Sequence, residues 1–201
     1  MIMTSNVFVS EAIATRLSHD LIGNIGAVAN AVELMNEDGG ADEDIVHILN
    51  FSSAVLSHRL KFFRLCFGLS NATVKTTEEM VKLTEDYLSS LGNPNYQIKL
   101  KLAISTPKIY KLVMPSVMLM ADAVIKNGTV AVTQTETNLQ IKVSSDTPLN
   151  QTKLTNIAKI LGGNEPDENP SSYAPLYYLM SYLEGSGVSL KFSDNTLFIG
   201  D

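Results

Sequence analysis

Histidine has a ring nitrogen that is nucleophilic near neutral pH, which makes it a competent acceptor of a phosphoryl group. The chain has three histidines, His19, His47 and His58. His19 stands in Arg16-Leu17-Ser18-His19-Asp20-Leu21, two positions from both Leu17 and Leu21. On a helix that spacing turns it about 200° away from each leucine, onto the outward face. A carboxylate can hold the proton of the second ring nitrogen and so fix the tautomer, and Asp20 is the adjacent candidate. A His-Asp pair is also what an ordinary solvated helix surface carries, so its neighbours must decide.

Gly23 follows His19 by four residues and Gly26 by seven, on one stripe that continues to Asn30. A glycine inside a helix costs about 1 kcal/mol relative to alanine. Two of them beside an outward histidine predict a smooth face that another surface approaches closely. The alternative is a helix break, but the apolar seam continues past them to Met35 without a slip. His19 also lies about twenty residues before Gly39-Gly40, so its level on a returning helix falls about twenty residues after that turn. The segment there is His58-Arg59-Leu60-Lys61-Phe62-Phe63-Arg64. With Arg16 it predicts a basic patch with exposed aromatics beside His19. Arg59, Lys61 and Arg64 are then candidates to stabilise a phosphoryl group in flight and to bind an acidic partner surface. An ordinary solvated basic face is the competing reading.

Two helical patterns must position these residues. Ala14, Leu17, Leu21, Ile25, Val28, Val32 and Met35 form one seam of alternating three and four steps, and Glu37-Asp38-Gly39-Gly40 breaks it. A second seam runs through Ile45, Leu49, Ser52, Leu56, Leu60, Phe63 and Phe67. The pair predicts an antiparallel helical hairpin. Phe51, Val55, Phe62 and Leu65 widen the second apolar face. A second hairpin from another copy would cover it in a dimeric four-helix bundle, unless the later part of the same chain does so.

After Asn71 the pattern changes. Thr76 with Glu79 marks a capping box opening a helix from Thr77 to Leu91, and Gly92-Asn93-Pro94-Asn95 is a turn signal. A strand over Tyr96–Ala103 precedes a helix over Ile109–Lys126, with Pro115 near its start. Strands around Thr129–Thr135 and Leu139–Ser145, helices over Leu154–Leu161 and Ala174–Leu183, and a closing hairpin around Asp194-Asn195 complete it. The fold class is therefore α+β, with an open, largely antiparallel sheet and helices on one face.

Bulk properties narrow the function. A formal net charge of −6 argues against nucleic-acid binding, and 45% hydrophobic content fits a globular protein. No stretch reaches the roughly 20 apolar residues of a membrane span, and Met1 to Ser10 lack the pattern of a signal peptide. Cys66 is alone, which fits a reducing cytoplasm. A soluble cytoplasmic protein is expected.

Arg16-Leu17-Ser18-His19-Asp20-Leu21-Ile22, followed by Gly26-Ala27-Val28-Ala29-Asn30 and Glu33-Leu34, resembles the phosphoacceptor helix of ChpT-type histidine phosphotransferases. The element order after Asn71 resembles the ATP-binding domain of histidine kinases. The resemblance implies two domains. Residues 1–72 would be a dimerisation and phosphotransfer hairpin, and 73–201 an α/β sandwich resembling a degenerate kinase (Bergerat-like) ATP-binding domain. It implies a homodimer phosphorylated on His19 that relays phosphoryl groups between receiver domains, those of a hybrid histidine kinase and of response regulators, in a two-component phosphorelay. The receiver would supply Mg2+, and the chain would have no cofactor or metal of its own.

The residues agree with loss of ATP binding. Within Ala121-Asp122-Ala123-Val124-Ile125-Lys126, Asp122 replaces the magnesium-binding asparagine of kinases. In Ser144-Ser145-Asp146-Thr147-Pro148-Leu149, Asp146 imitates the adenine-binding aspartate, but no glycine follows it. The lid position reads Ser171-Ser172-Tyr173-Ala174-Pro175-Leu176-Tyr177-Tyr178, with tyrosines and a proline where close approach to phosphates wants glycine. Gly23 also replaces the threonine or asparagine that positions water in kinases with phosphatase activity, which puts such activity in doubt; Asn24 is rotated about 100° away. Two other readings stand beside the phosphotransferase. One is a non-catalytic dimeric adaptor for receivers, which would have no need of the His19-Asp20 pair. The other is an ATP-dependent kinase with unusual nucleotide boxes.

Overall fold

The computed structural model describes residues 5–37, 40, 42–69, 74–92 and 96–200. The two seams become helices α1 (Asn6–Glu37) and α2 (Glu43–Phe67), packed against each other. Asp42 caps α2, its carboxylate accepting the Ile45 amide at 2.8 Å. Asp38 and Gly39 of the predicted break lie outside the described residues, as do the turn residues 93–95 and the expected domain boundary after residue 72.

The first half of α1 buries its predicted seam only in part: Leu17 and Leu21 pack against the core. Ala14 is exposed, and the inward stripe runs through Val9 and Ala12 to Arg16. The reason is a second neighbour: besides α2, this half packs on a 3₁₀ turn (Pro170–Tyr173) and on α6 (Ala174–Tyr182), which rotates the buried face. The wide apolar face of α2 is divided. Phe62 and Phe63 are not exposed aromatics but are buried, Phe62 stacking on Tyr87 with centroids 3.9 Å apart. Tyr87 belongs to α3 (Thr77–Ser89), so this part of the face is covered from within the chain. Ile48, Phe51 and Leu60 on α2, and Ile22, Ile25 and Val32 on α1, remain exposed.

Helix α3 starts as its capping box predicts: the Thr76 hydroxyl accepts the Glu79 amide at 3.1 Å. The Glu79 carboxylate reaches back one residue further than usual, to the Lys75 amide at 2.8 Å. β1 (Ile98–Ala103) leads through a 3₁₀ turn (Pro107–Ile109) into α4 (Tyr110–Ala121). Pro115 therefore sits inside α4 and not near its start, because the tight turn carries the helical path back to Pro107. β2 (Gly128–Gln134), β3 (Asn138–Ser144), α5 (Gln151–Leu161), α6, β4 (Ser189–Ser193) and β5 (Thr196–Gly200) follow. Helix α5 begins three residues before its apolar run because the Asn150 side chain caps it, accepting the Lys153 amide at 3.0 Å.

The sheet order is β1-β2-β3-β5-β4. β1 and β2 are parallel, since α4 intervenes as a crossover, and the other pairs are antiparallel. The closing hairpin turns at Asp194 and Asn195 with φ of 49° and 57°, the doubly positive pattern of a type I′ turn. Alternation leaves one face dry: Val130, Val132, Ile141 and Val143 are buried, while Lys99, Lys101 and Lys142 face solvent. The result is an α+β fold in which one continuous core runs from Val9 and Phe62 to Leu197 and Ile199. Among the described residues no helix is long and apolar enough to cross a membrane.

Candidate functional site

His19 lies on the outward side of α1, three residues past Arg16, which donates to the Ser172 carbonyl of the 3₁₀ turn. Its side chain is 84% exposed, and its Nδ1 is 3.3 Å from Asp20 Oδ1. Asp20 is itself only 11% exposed, because Arg16 one turn earlier donates from Nε to its Oδ2 at 2.8 Å. Successive helical residues diverge by about 100°, so the carboxylate meets the ring only while held to that side. A neutral ring protonated at Nδ1 would donate to Asp20 and leave the Nε2 lone pair toward solvent.

Arg16 does not present its charge to solvent. Its two terminal nitrogens donate to both oxygens of Asp122 at 2.7 and 2.9 Å, at the C-terminal end of α4. Lys153 of α5 reaches the same carboxylate at 3.0 Å and also donates to the Ser172 carbonyl, with its ammonium 4.1 Å from the Tyr173 ring centre. Tyr173 is held in turn by Glu168 and Asn156 at 2.6 and 2.9 Å. Burial opposes every charge in this cluster. For Asp122 the opposing effect is outweighed by Lys153 and Arg16, and its carboxyl lies below the ordinary value. Burial would also lower the Arg16 value, but Asp122 outweighs it and holds the guanidinium firmly protonated. For Lys153 burial wins: its ammonium falls below the ordinary lysine value despite Asp122, with the like charge of Arg16 adding to the effect.

Arg59 stands at the level its spacing predicts. It donates to the main-chain carbonyl of Asp20, and to the carbonyl and hydroxyl of Ser90 at 2.7 and 3.3 Å. Its fork is thereby used inside the molecule, tying α2 to α1 and to the end of α3. Lys61 and Arg64 are exposed, and among the described residues they form no ion pair. Gly23 is exposed and Gly26 half-buried, and a methyl group added at either would meet no atom within 4 Å. Asp146 is apart from this cluster, lining an open groove of about 650 Å³ with Gln97, Lys99 and Asn127.

Lys153 and Ser172 were not among the residues singled out from the sequence. A signal for Lys153 existed. It shares the stripe Lys153-Asn156-Ile157-Ile160, all buried, so a charge sat on the apolar face of an amphipathic helix. Arg16 carries the same signal on the stripe of Val9 and Ala12.

No family model matches the chain. Over 60 residues it is 40% identical to the protein phosphotransferase ChpT of Brucella abortus (strain 2308); the match spans 30% of this chain and 28% of that relative. A solved structure of a bacterial phosphotransferase superposes with a TM-score of 0.71 at 23% identity, covering 97% of this chain and 96% of the other. The chain thus shares the fold of that structure over nearly its whole length. In sequence the chain resembles the ChpT type.

Proposed function

We propose that the protein is a histidine phosphotransferase that relays phosphoryl groups through His19 between receiver-domain aspartates of a cytoplasmic phosphorelay. One observation carries this reading: the only strongly exposed part of the Arg16–Asp20–His19 array is the imidazole, with Asp20 fixed against Nδ1 and open space along Gly23 and Gly26. In the forward step His19 Nε2 attacks the phosphorus of a receiver's aspartyl phosphate. The N–P bond forms as the acyl P–O bond breaks, and the receiver carboxylate leaves with the electron pair. Asp20 stabilises the positive charge that the ring acquires and retains the Nδ1 proton. The reverse step delivers the group to the aspartate of a second receiver. Positioning and charge stabilisation supply most of such catalysis. Mg2+ would come with the receiver, and Lys61 and Arg64 offer it exposed cations.

The reading includes a homodimer. The exposed Ile22, Ile25 and Val32 of α1 and Ile48 and Phe51 of α2 form an apolar surface suited to a second hairpin, completing a four-helix bundle. It also includes a sheet-bearing part derived from a kinase ATP-binding domain without nucleotide binding. In support, Asp122 in the magnesium-asparagine position is committed to Arg16 and Lys153.

The test is to incubate the protein with receivers carrying labelled phosphate, and separately with labelled ATP. Acid-labile, base-stable label arriving from receivers alone is expected. Receiver binding without label would favour the adaptor, and label taken from ATP would favour a kinase.

A further inference from the structure

Asp122 lies 106 residues from Arg16 in the chain, yet the two meet in a bidentate pair on the same guanidinium that holds Asp20. Asp20 alone would be free to swing its carboxylate into water, where a solvated histidine adjacent in sequence competes poorly for it. Arg16 prevents that swing from Nε, but an arginine side chain has several rotatable bonds and is no better fixed than its other edge. That other edge is held by both Asp122 oxygens. A planar guanidinium clamped by carboxylates on two edges cannot rotate without breaking hydrogen bonds in a poorly solvated place. Asp122 is in turn held by Lys153, whose ammonium is anchored to the Ser172 carbonyl and over Tyr173. The contacts form one unbroken line from Lys153 through Asp122, Arg16 and Asp20 to His19, with only its last member in solvent.

We propose that Asp122 is a positioning residue for phosphoryl transfer: by clamping Arg16 it holds Asp20 against His19 and keeps the ring in the Nδ1–H tautomer, whose Nε2 is the nucleophile. This rests on the reading of His19 as phosphoacceptor. During attack the Nδ1 proton stays in place, Nε2 bonds to phosphorus, and the acyl oxygen departs. A ring in the other tautomer presents an N–H at Nε2 and has no lone pair to offer there. The sheet-bearing part of the chain thereby serves the chemistry of α1 without touching the phosphoryl group.

The measurement is the two-bond proton–nitrogen spectrum of protein labelled with nitrogen-15 in histidine, recorded with the ring neutral, His19 being assigned by its loss in His19→Gln. Wild type is expected to show the Nδ1–H form. Asp122→Asn should shift His19 toward the Nε2–H form and lower the labelling rate about 10-fold or more, by analogy with the outer-shell partners of metal-bound histidines. Asp122→Glu should restore part of both. A purely structural ion pair predicts a lower melting temperature with tautomer and labelling rate unchanged in the folded protein, and that result overturns the proposal. If Asp122→Asn does not fold, Arg16→Lys decides by the same spectrum: lysine keeps the charge but lacks the planar fork that engages both Asp122 oxygens, and an unaltered tautomer there is equally fatal. A wild-type ring already in the Nε2–H form also overturns it. Absence of label in wild type from every phosphorylated receiver would instead defeat the phosphotransfer reading, while the spectra still decide the link between Asp122 and the ring.

Discussion

Arg59 of α2 donates a hydrogen bond to the main-chain carbonyl of Asp20, so the residue following His19 is gripped from the neighbouring helix as well as by Arg16. The same guanidinium closes on Ser90, at the end of α3. Arg59→Ala should therefore act on stability, leaving the partly buried Ser90 carbonyl without its partner at a cost of about 1–3 kcal/mol. Lys61→Ala and Arg64→Ala, both on exposed positions, should leave the melting temperature unchanged. They should instead weaken receiver association at low salt and lose that effect at high salt. Thermal melts beside binding titrations at two ionic strengths separate the two behaviours.

His19→Gln should abolish labelling by phosphorylated receivers while leaving melting temperature and oligomeric state as in wild type, because the ring is 84% exposed and buries almost nothing. Undiminished labelling of this variant would move the assignment to His58.

Gly23→Leu should give a stable and poorly active protein. Beyond the helix's own backbone nothing lies within 4 Å of a Cβ at that position, and leucine is the better helix former by roughly 0.5–1 kcal/mol. If the glycine stripe lies under the docked receiver, both receiver affinity and labelling rate fall. Transfer at the wild-type rate would place docking elsewhere.

Acid should expose the contribution of Asp122. Its carboxyl in the folded protein lies below the ordinary value of 3.8, because Lys153 and Arg16 outweigh burial. Between the two values the unfolded chain binds the proton that the folded one does not. The stabilisation is therefore complete above 3.8 and is lost as pH falls from there through the folded-state value. Melting temperatures recorded downward from about pH 5 should fall more steeply for wild type than for Asp122→Asn. Parallel curves would mean that the carboxylate is not paired in solution.

Ile25→Asp should convert the proposed dimer to monomer without unfolding it, since Ile25 is already 49% exposed in the single chain. Sedimentation velocity at micromolar concentration reads the outcome. An unaltered dimer would mean that copies meet through another surface.

The helical hairpin, the capping box at Thr76, the closing turn at Asp194-Asn195 and the level of Arg59 opposite His19 were legible because each depends on local spacing. The burial of Phe62 and of Arg16 was not, because it depends on which distant element arrives. Tyr87 covers Phe62, and Asp122, more than a hundred residues on, takes the far edge of Arg16. A single periodic seam describes a helix with one neighbour. The first half of α1 has more than one, so Ala14 turned outward and a charged residue turned in. The partial clue was a cation on an apolar stripe, present at both Arg16 and Lys153, which asks for a buried anion before any partner is considered. Asp122 was noticed as a departure from a nucleotide-binding asparagine, and its positive role needed the fold.

The cover over the first half of α1 comes from residues 170–182, so this helix is enclosed only once a segment far downstream of it has been made. Until those residues arrive, Val9 and Ala12 lie open to water and Lys153 has no Ser172 carbonyl to rest on. A chain stalled or cut before that point keeps the whole hairpin, His19 included, but not the enclosure that sets its neighbours. On the proposed role of His19, order of synthesis would tie its reactivity to completion: an unfinished chain carries the histidine without the surroundings that position Asp20 beside it.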